Sequence, residues 1–236
     1  MVSSQKGGEK MSRVLVVGDT HAPVMHPNYV NFLADVRDEW GCDEVVHIGD
    51  LVDWASISYH PKAPSLKNSE AEYRKAYEQV QQLYTELGPS VTWFVGNHDA
   101  LTERHAMDCG LPLSVLKSYS DIWGVQGWEV IPRYGNKVID GVMYQHGDRG
   151  SGGQRNAAYS NAKAQFCSVV QGHFHSQAGV EFYNNERFKC FGMQVGCGID
   201  VKAAAMDYGK KFNQKPILGC GVVIDGELAV FEPMSV

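Results

Sequence analysis

The chain has 236 residues, of which 44% are hydrophobic and 20% are charged, as in an ordinary folded protein with a substantial core. No apolar run approaches the roughly 20 residues that cross a bilayer, so no membrane partner is expected. The formal net charge of −6 argues mildly against broad electrostatic binding of nucleic acid, although it leaves room for a locally positive cleft.

The polar segment at the start of the chain, Met1–Arg13, lacks the apolar core of a secretory signal. Residues 1–12 are expected to be a disordered lead-in, and residues 13–236 a single domain, because no linker or repeat interrupts them. Six cysteines occur without a C-x-x-C pair, which argues against a zinc ribbon or a thioredoxin motif. They favour reduced, structural thiols in a cytoplasmic protein, with a disulfide framework as the alternative.

The first elements alternate between strand and helix. An apolar strand is predicted at Arg13–Val17, a helix at Tyr29–Trp40 and a second strand at Glu44–Ile48. This order is typical of a parallel α/β unit. A long helix is predicted at Ser69–Leu87, where Ser69 and the glutamate three residues later form a capping box only if Ser69 is the N-cap.

The remaining elements are shorter. The region Ala100–Tyr134 looks irregular, apart from a short helix near Leu101–Met107. A further helix is predicted at Gln154–Ala164. Strands are predicted at Val91–Val95, Lys137–Asp140, Val142–Gln145, Cys167–Gln171, Gly179–Phe182, Phe188–Gln194, Gly219–Ile224 and Glu227–Phe231.

Polar side chains follow five of the apolar strands at the point where each strand ends. The central example is Gly96–Asp99, Gly-Asn-His-Asp, and the same pattern recurs at Val14–His21, Val45–Asp53, Val142–Gly147 and Val169–His175. Sites in parallel α/β sheets form beyond the carboxyl ends of the strands. Five such strand ends therefore predict one common site.

The side chains gathered there are of metal-binding type: Asp19, His21, Asp50, Asn97, His146, His173 and His175. Imidazole, carboxylate and amide ligands without thiolates suit Mn²⁺, Fe or Zn²⁺. Seven ligands exceed the four that one tetrahedral ion accepts. They suffice for two ions about 3.5–4 Å apart that share a carboxylate, and Asp50 is the predicted bridge.

These five ordered blocks resemble the calcineurin-like metallophosphoesterase superfamily, in particular its compact phage and bacterial members. The resemblance implies an α/β fold, a four-layer α/β/β/α sandwich with two mixed β-sheets, around a dinuclear metal centre. It assigns one ion to Asp19, His21, Asp50 and His175, and the other to Asp50, Asn97, His146 and His173.

The resemblance also implies a mechanism, in which a metal-bridging hydroxide attacks the phosphorus in line. His98 is then the general acid for the leaving oxygen, and Asp53 is its orienting partner. A carboxylate bonded to the imidazole favours its protonated form. The other histidines are expected to be structural, with His47 packed in a strand and the rest at the surface or rim: His26, His60 and His105.

One departure from the family concerns the binding of phosphate. In the Ser/Thr protein phosphatase branch an arginine follows the second aspartate, whereas Trp54 follows Asp53 in this chain. The difference argues against protein-phosphatase activity. Arg104 and Arg149 are candidates for a bidentate phosphate contact, with a solvated surface position as the alternative for each.

The function expected from these features is that of a metal-dependent phosphodiesterase acting on nucleotide or nucleic-acid esters. A phosphomonoesterase is the alternative within the enzyme class, and a non-catalytic metal-binding scaffold is the alternative outside it. Two divalent ions are expected, with Mn²⁺ favoured and Fe, Zn²⁺ or Ni²⁺ as alternatives. A cytoplasmic location is expected, in the host cytoplasm if the chain is phage-encoded. Oligomeric state and physiological substrate are left open.

Overall fold

The computed structural model describes residues 12–62, 64–150, 156–203 and 213–235. The predicted lead-in lies outside these ranges, except for Ser12. Within them the helices are α1 (Tyr29–Trp40), α2 (Ser69–Leu87), α3 (Leu101–Asp108), α4 (Tyr119–Trp123) and α5 (Ala157–Gln165). The strands are β1 (Arg13–Val17), β2 (Glu44–His47), β3 (Val91–Phe94), β4 (Glu129–Ile131), β5 (Lys137–Ile139), β6 (Val142–Gln145), β7 (Ser168–Gln171), β8 (Ala178–Asn184), β9 (Lys189–Val195), β10 (Gly219–Ile224) and β11 (Leu228–Pro233).

The strands form two mixed sheets. The first sheet has the order β11-β10-β1-β2-β3-β4, in which β1 to β4 are parallel, β10 pairs antiparallel with β1, and β11 pairs antiparallel with β10. The second sheet has the order β5-β6-β7-β9-β8, in which β6, β7 and β9 are parallel and the outer strands antiparallel. Each sheet therefore has parallel strands whose carboxyl ends lie at a shared edge.

Alternation along the buried strands explains the layers. Val14 and Val16 of β1 pack in a core with Tyr144, Val170 and Met193 of the second sheet. The intervening β1 residues point the other way, into a core shared with α1 and α2. On the far side, α5 packs against β7 and β9. The predicted four-layer α/β/β/α sandwich is therefore confirmed.

Most predicted elements are confirmed, and the bounds of α1 and α2 match the prediction. Two short elements in the region thought irregular, α4 and β4, were not predicted. The condition for a capping box at α2 is not met, because the N-cap is Asn68, whose side chain accepts a hydrogen bond from the N–H of Ala71 at 3.0 Å. Glu72 instead accepts hydrogen bonds from the N–H groups of Ala55 and Ser56.

Backbone hydrogen bonds bring together the loops that leave the parallel strands. The N–H of His21 donates to the carbonyl of Asp50 at 2.9 Å, which joins the loops after β1 and β2. The N–H of Gly172 donates to the carbonyl of His146 at 2.9 Å and joins the loops after β6 and β7. The motif residues are held at one edge of the sandwich by these bonds. Among the described residues, no helix is both long and apolar enough to cross a membrane.

Candidate metal centre

Three groups of potential ligand atoms converge at this edge, and one of them, His21, Asp53 and His98, contains the two residues predicted to be catalytic. The other two are treated as clusters. The first cluster consists of Asp19, His21, Asp50 and His175, and the second cluster contains Asp50, His146 and His173. Within each cluster the ligand atoms all lie within 4.8 Å of one another. These two clusters contain six of the seven predicted metal-binding residues. The seventh, Asn97, contacts His146 and is counted with the second cluster.

The first cluster is almost completely buried. Nε2 of His175 lies 3.0 Å from Oδ2 of Asp19 and 3.1 Å from Nε2 of His21. The other ring nitrogen of His21, Nδ1, lies 2.9 Å from the Asp53 carboxylate. That contact fixes the ring and leaves Nε2 turned toward the cluster, as in the carboxylate–histidine pairs that orient metal ligands.

The second cluster is built in a similar way. Nδ1 of His146 lies 3.1 Å from the carbonyl oxygen of Ile48, so that Nε2 is turned inward, 3.2 Å from Oδ1 of Asn97. The ring of His173 meets that of His146 edge-on, with 5.2 Å between ring centroids. The backbone N–H of His173 donates to Asp19 at 2.9 Å, which ties the second cluster to the first.

The Asp50 carboxylate lies between the two clusters. Its Oδ2 atom is 3.5 Å from Nε2 of His21 and 3.4 Å from Nε2 of His146. Its Oδ1 atom accepts a hydrogen bond from the backbone N–H of His98 at 2.8 Å. Burial would raise the pKa of Asp50, but the surrounding imidazoles, His146 first among them, hold it well below its ordinary value. The carboxylate therefore remains ionised, as a ligand must be.

The backbone is strained at several of these positions. His21, Asp50 and His173 have φ values of 48°, 46° and 70°, in the left-handed region that non-glycine residues rarely adopt. Such residues cost about 1–3 kcal/mol each and are concentrated at functional sites. Glycine is needed nearby, because a Cβ at Gly96 would overlap the Asp50 carboxylate and one at Gly172 would overlap that of Asp19.

His98 lies beside the first cluster, and its ring meets that of His21 at a centroid distance of 4.6 Å. Its Nδ1 atom is 2.6 Å from the backbone carbonyl oxygen of Asp53 and 3.3 Å from the Asp53 carboxylate. Asp53 thus contacts both His98 and His21. Burial would lower the pKa of His98, but the Asp50 charge and the contacts with Asp53 raise it to about 10. Cations in the clusters would oppose that rise.

The clusters have the properties of a site for divalent cations. Oδ1 of Asp19 is buried and makes no hydrogen bond among the described residues, which is costly unless a cation compensates it. The surrounding donors are imidazole nitrogens and carboxylate or amide oxygens, the set preferred by borderline and hard divalent metals. The residues present therefore fit a pair of cations that share Asp50.

Two buried residues near the centre have structural contacts. His47 is confirmed as packed in a strand: its Nε2 atom lies 3.1 Å from the Thr20 hydroxyl, and burial lowers its pKa to about 4. Asp99, for which no role was predicted, accepts hydrogen bonds from the N–H groups of Gly96 and Val52. This carboxylate fastens the Gly-Asn-His-Asp turn to the loop after β2.

The two arginines proposed to bind phosphate contact other groups. The guanidinium of Arg104 lies 4.6 Å above the ring of Tyr59, and Nη1 of Arg149 donates to the carbonyl of Tyr134 at 3.1 Å. A third arginine, not predicted as a phosphate ligand, is bonded to the loop that follows His146 of the second cluster. Arg133 donates from Nε to Asp148 at 2.8 Å, two residues after His146.

Comparison with known proteins identifies the family to which the chain belongs. The model of the calcineurin-like phosphoesterase family matches residues 12–190, which is most of the chain. The chain belongs to this family. The predicted resemblance is therefore confirmed, and with it a class of protein that acts on phosphate esters and typically holds divalent metal ions.

Several individual proteins are similar to this chain. The Gene 54 protein of Mycobacterium phage L5 is 29% identical over 217 residues, which cover 81% of each chain. The solved structure of Vacuolar Protein Sorting 29 from Cryptosporidium parvum aligns with a TM-score of 0.46 and 13% identity, over 90% of this chain and 86% of that one. Yfce, a phosphoesterase from E. coli, aligns with a TM-score of 0.42 and 12% identity, over 89% and 87%.

Proposed function

We propose that this calcineurin-like phosphoesterase is a phosphodiesterase that works with two divalent cations. The observation that carries the proposal is the position of the Asp50 carboxylate, one oxygen of which faces imidazoles of both clusters. Asp19, His21, Asp50 and His175 would hold one cation, and Asp50, Asn97, His146 and His173 the other. Such a pair of cations supplies an activated water at neutral pH and neutralises phosphoryl oxygens.

His98 is the proposed proton donor to the leaving oxygen. Its Nδ1 contact with the Asp53 carbonyl fixes the ring and leaves Nε2 as the nitrogen that can release a proton. The carboxylates of Asp50 and Asp53 favour the protonated ring before the reaction. Asp53 acts as a positioning residue, because it holds His98 through its carbonyl oxygen and His21 through its carboxylate.

The preference for diesters has support from Trp54. At the position where protein phosphatases carry an arginine, its indole is stacked on Tyr73 with 6.3 Å between ring centroids and 9° between planes, and it also packs on Trp123. No guanidinium is therefore available at this position. A doubly charged monoester needs more compensating positive charge than a singly charged diester.

The test is hydrolysis by purified protein loaded with Mn²⁺, measured on bis(p-nitrophenyl) phosphate and on p-nitrophenyl phosphate. We expect metal-dependent turnover, faster on the diester. Faster turnover of the monoester would make the protein a phosphomonoesterase. Two bound ions without hydrolysis of monoesters, diesters, cyclic nucleotides or DNA would make it a scaffold. Repeating the assay with Fe²⁺, Zn²⁺ and Ni²⁺ tests the proposed choice of Mn²⁺.

We further infer that residues 13–236 form a single domain and that the protein acts in the cytoplasm. β10 and β11, which follow residue 190, complete the first sheet, and β9 in the second sheet extends across that residue, which supports one cooperative unit. All six cysteines are free, as is usual in reducing compartments, and the curated relatives are phage proteins. A single unfolding transition and recovery of active protein in the cytoplasmic fraction of the host are the expected results.

A further inference from the structure

The turn after β4 brings an arginine to the loop that carries His146 of the second cluster. Arg133 donates from Nε to Oδ2 of Asp148 at 2.8 Å, and only 6% of the Asp148 side chain is exposed. Asp148 follows His146 by two residues in the loop after β6. The ion pair therefore fixes Arg133 beside the loop that carries this candidate ligand.

A second hydrogen bond joins the turn after β4 to the loop after β6. Nη1 of Arg149 donates to the carbonyl of Tyr134, so that two neighbouring residues of the loop after β6 bind two neighbouring residues of this turn. The Arg133 guanidinium also lies 4.6 Å above the Tyr134 ring. Its plane is thus set by a carboxylate at Nε and by an aromatic ring, which leaves little conformational entropy to lose on binding a ligand.

The terminal nitrogens of the Arg133 guanidinium are available to bind a ligand. Among the described residues, Nη1 and Nη2 of Arg133 make no hydrogen bond, and 21% of the side chain is exposed. The two arginines named from the sequence are engaged elsewhere, Arg104 on Tyr59 and Arg149 on the Tyr134 carbonyl. A guanidinium with two terminal NH₂ groups available offers the planar fork that suits phosphate oxygens.

We propose that Arg133 forms a phosphate-binding subsite of this protein, and that its terminal NH₂ groups bind non-bridging phosphoryl oxygens of the ester. The inference rests on the proposed function for the position of the substrate. Asp148 and Tyr134 are positioning residues in this subsite: Asp148 holds Nε, and Tyr134 supports the face of the guanidinium. The ligand chemistry is that of a phosphate oxyanion, shared by the ester and by inorganic phosphate.

The experiment measures binding of inorganic phosphate to the metal-loaded protein by calorimetry, together with the KM for bis(p-nitrophenyl) phosphate. For Arg133→Ala we expect phosphate affinity to fall about tenfold to a hundredfold, the loss of charge-assisted hydrogen bonds, with both metal ions retained. Arg133→Lys should recover part of the affinity, because the charge remains but the fork does not. The matched control is Arg187→Ala, an exposed arginine between β8 and β9, which should bind phosphate like the wild type.

A second variant, Asp148→Asn, keeps Arg133 but removes the charge that holds it. We expect KM to rise with a smaller effect on kcat, since binding and not proton transfer is affected. Equal phosphate affinity in Arg133→Ala and wild type would overturn the subsite, even if the variant were less stable. Failure of the proposed function looks different: phosphate would still bind through Arg133, but no ester would be hydrolysed.

Discussion

The two clusters share Asp50 but differ in charge and exposure. The first cluster has a second carboxylate, Asp19, and both Asp19 and His21 are fully buried. The second cluster has the neutral amide of Asn97 in the corresponding place, and both Asn97 and His173 are partly exposed. Greater negative charge in a less polar environment attracts a cation more strongly. We therefore expect the first cluster to bind its ion more tightly, while the second exchanges ions and faces the substrate.

The largest effect is expected from the residue that both clusters share. Asp50→Asn removes the charge next to His21 and His146, so we expect loss of both ions and a fall in kcat/KM of at least about a hundredfold. Metal content per chain and hydrolysis of the diester are the measurements. Asp35→Asn, an exposed carboxylate of α1, is the control and should retain both ions. Retention of two ions by Asp50→Asn would contradict the sharing.

Replacing His98 should slow the chemical step without affecting metal binding. For His98→Ala we expect kcat to fall by about 10²–10⁴-fold, the usual contribution of a general acid, with two ions still bound. The decisive comparison is with Asp50→Asn, which should lose ions as well. The fall in kcat should be smaller for substrates with better leaving groups, since their leaving oxygen needs less protonation. A uniform loss across leaving groups would argue against proton donation by His98.

The difference between the clusters can be tested one ligand at a time. Asp19→Asn should weaken the tighter step of a two-step Mn²⁺ titration, and Asn97→Ala the weaker step, each by at least about tenfold. Both steps are read from isothermal calorimetry of the metal-free protein. If Asn97→Ala weakened the tighter step instead, the order of affinities that we infer from charge and burial would be reversed.

The smallest effect is expected far from the clusters. Asn68→Ala removes the side-chain cap of α2 and should lower the free energy of unfolding by about 1 kcal/mol. Metal content and kcat should not change, because α2 packs on the outer face of the first sheet. Thermal or urea unfolding measures the effect, with Ser69→Ala as a control that should cost less. An equal cost for both changes would mean that the two residues share the cap.

The helices, the strands and the convergence of the candidate ligands could be predicted from the sequence for a common reason, whereas the four-layer architecture followed from the family resemblance. Long helices with a regular apolar period, such as α1 and α2, can be predicted from local sequence alone, and each is followed by a glycine at its C-terminal end. The ligands follow directly after buried strands, so chain order and parallel pairing are enough to bring them to one edge. Neither inference requires knowledge of contacts between distant side chains.

The features that the sequence missed depend on such distant contacts. β4 has three residues and is a strand only because it pairs with β3, and α4 has five residues. The role of Asp99 requires the N–H of Val52, 47 positions earlier. Arg133 could not be predicted as a phosphate ligand, because its partner Asp148 belongs to a loop of the other sheet. Arg104 and Arg149 were predicted only because they lie next to motifs in the sequence.

The pairing of β10 with β1 has a consequence for biosynthesis. β10 and Gly198, whose N–H donates to the carbonyl of Asp19 at 2.8 Å, lie far along the chain from the loop after β1. That loop therefore lacks both supports until Gly198 and β10 have been synthesised. We expect the first cluster to reach its final geometry, and to capture a cation in it, only after these residues have left the ribosome.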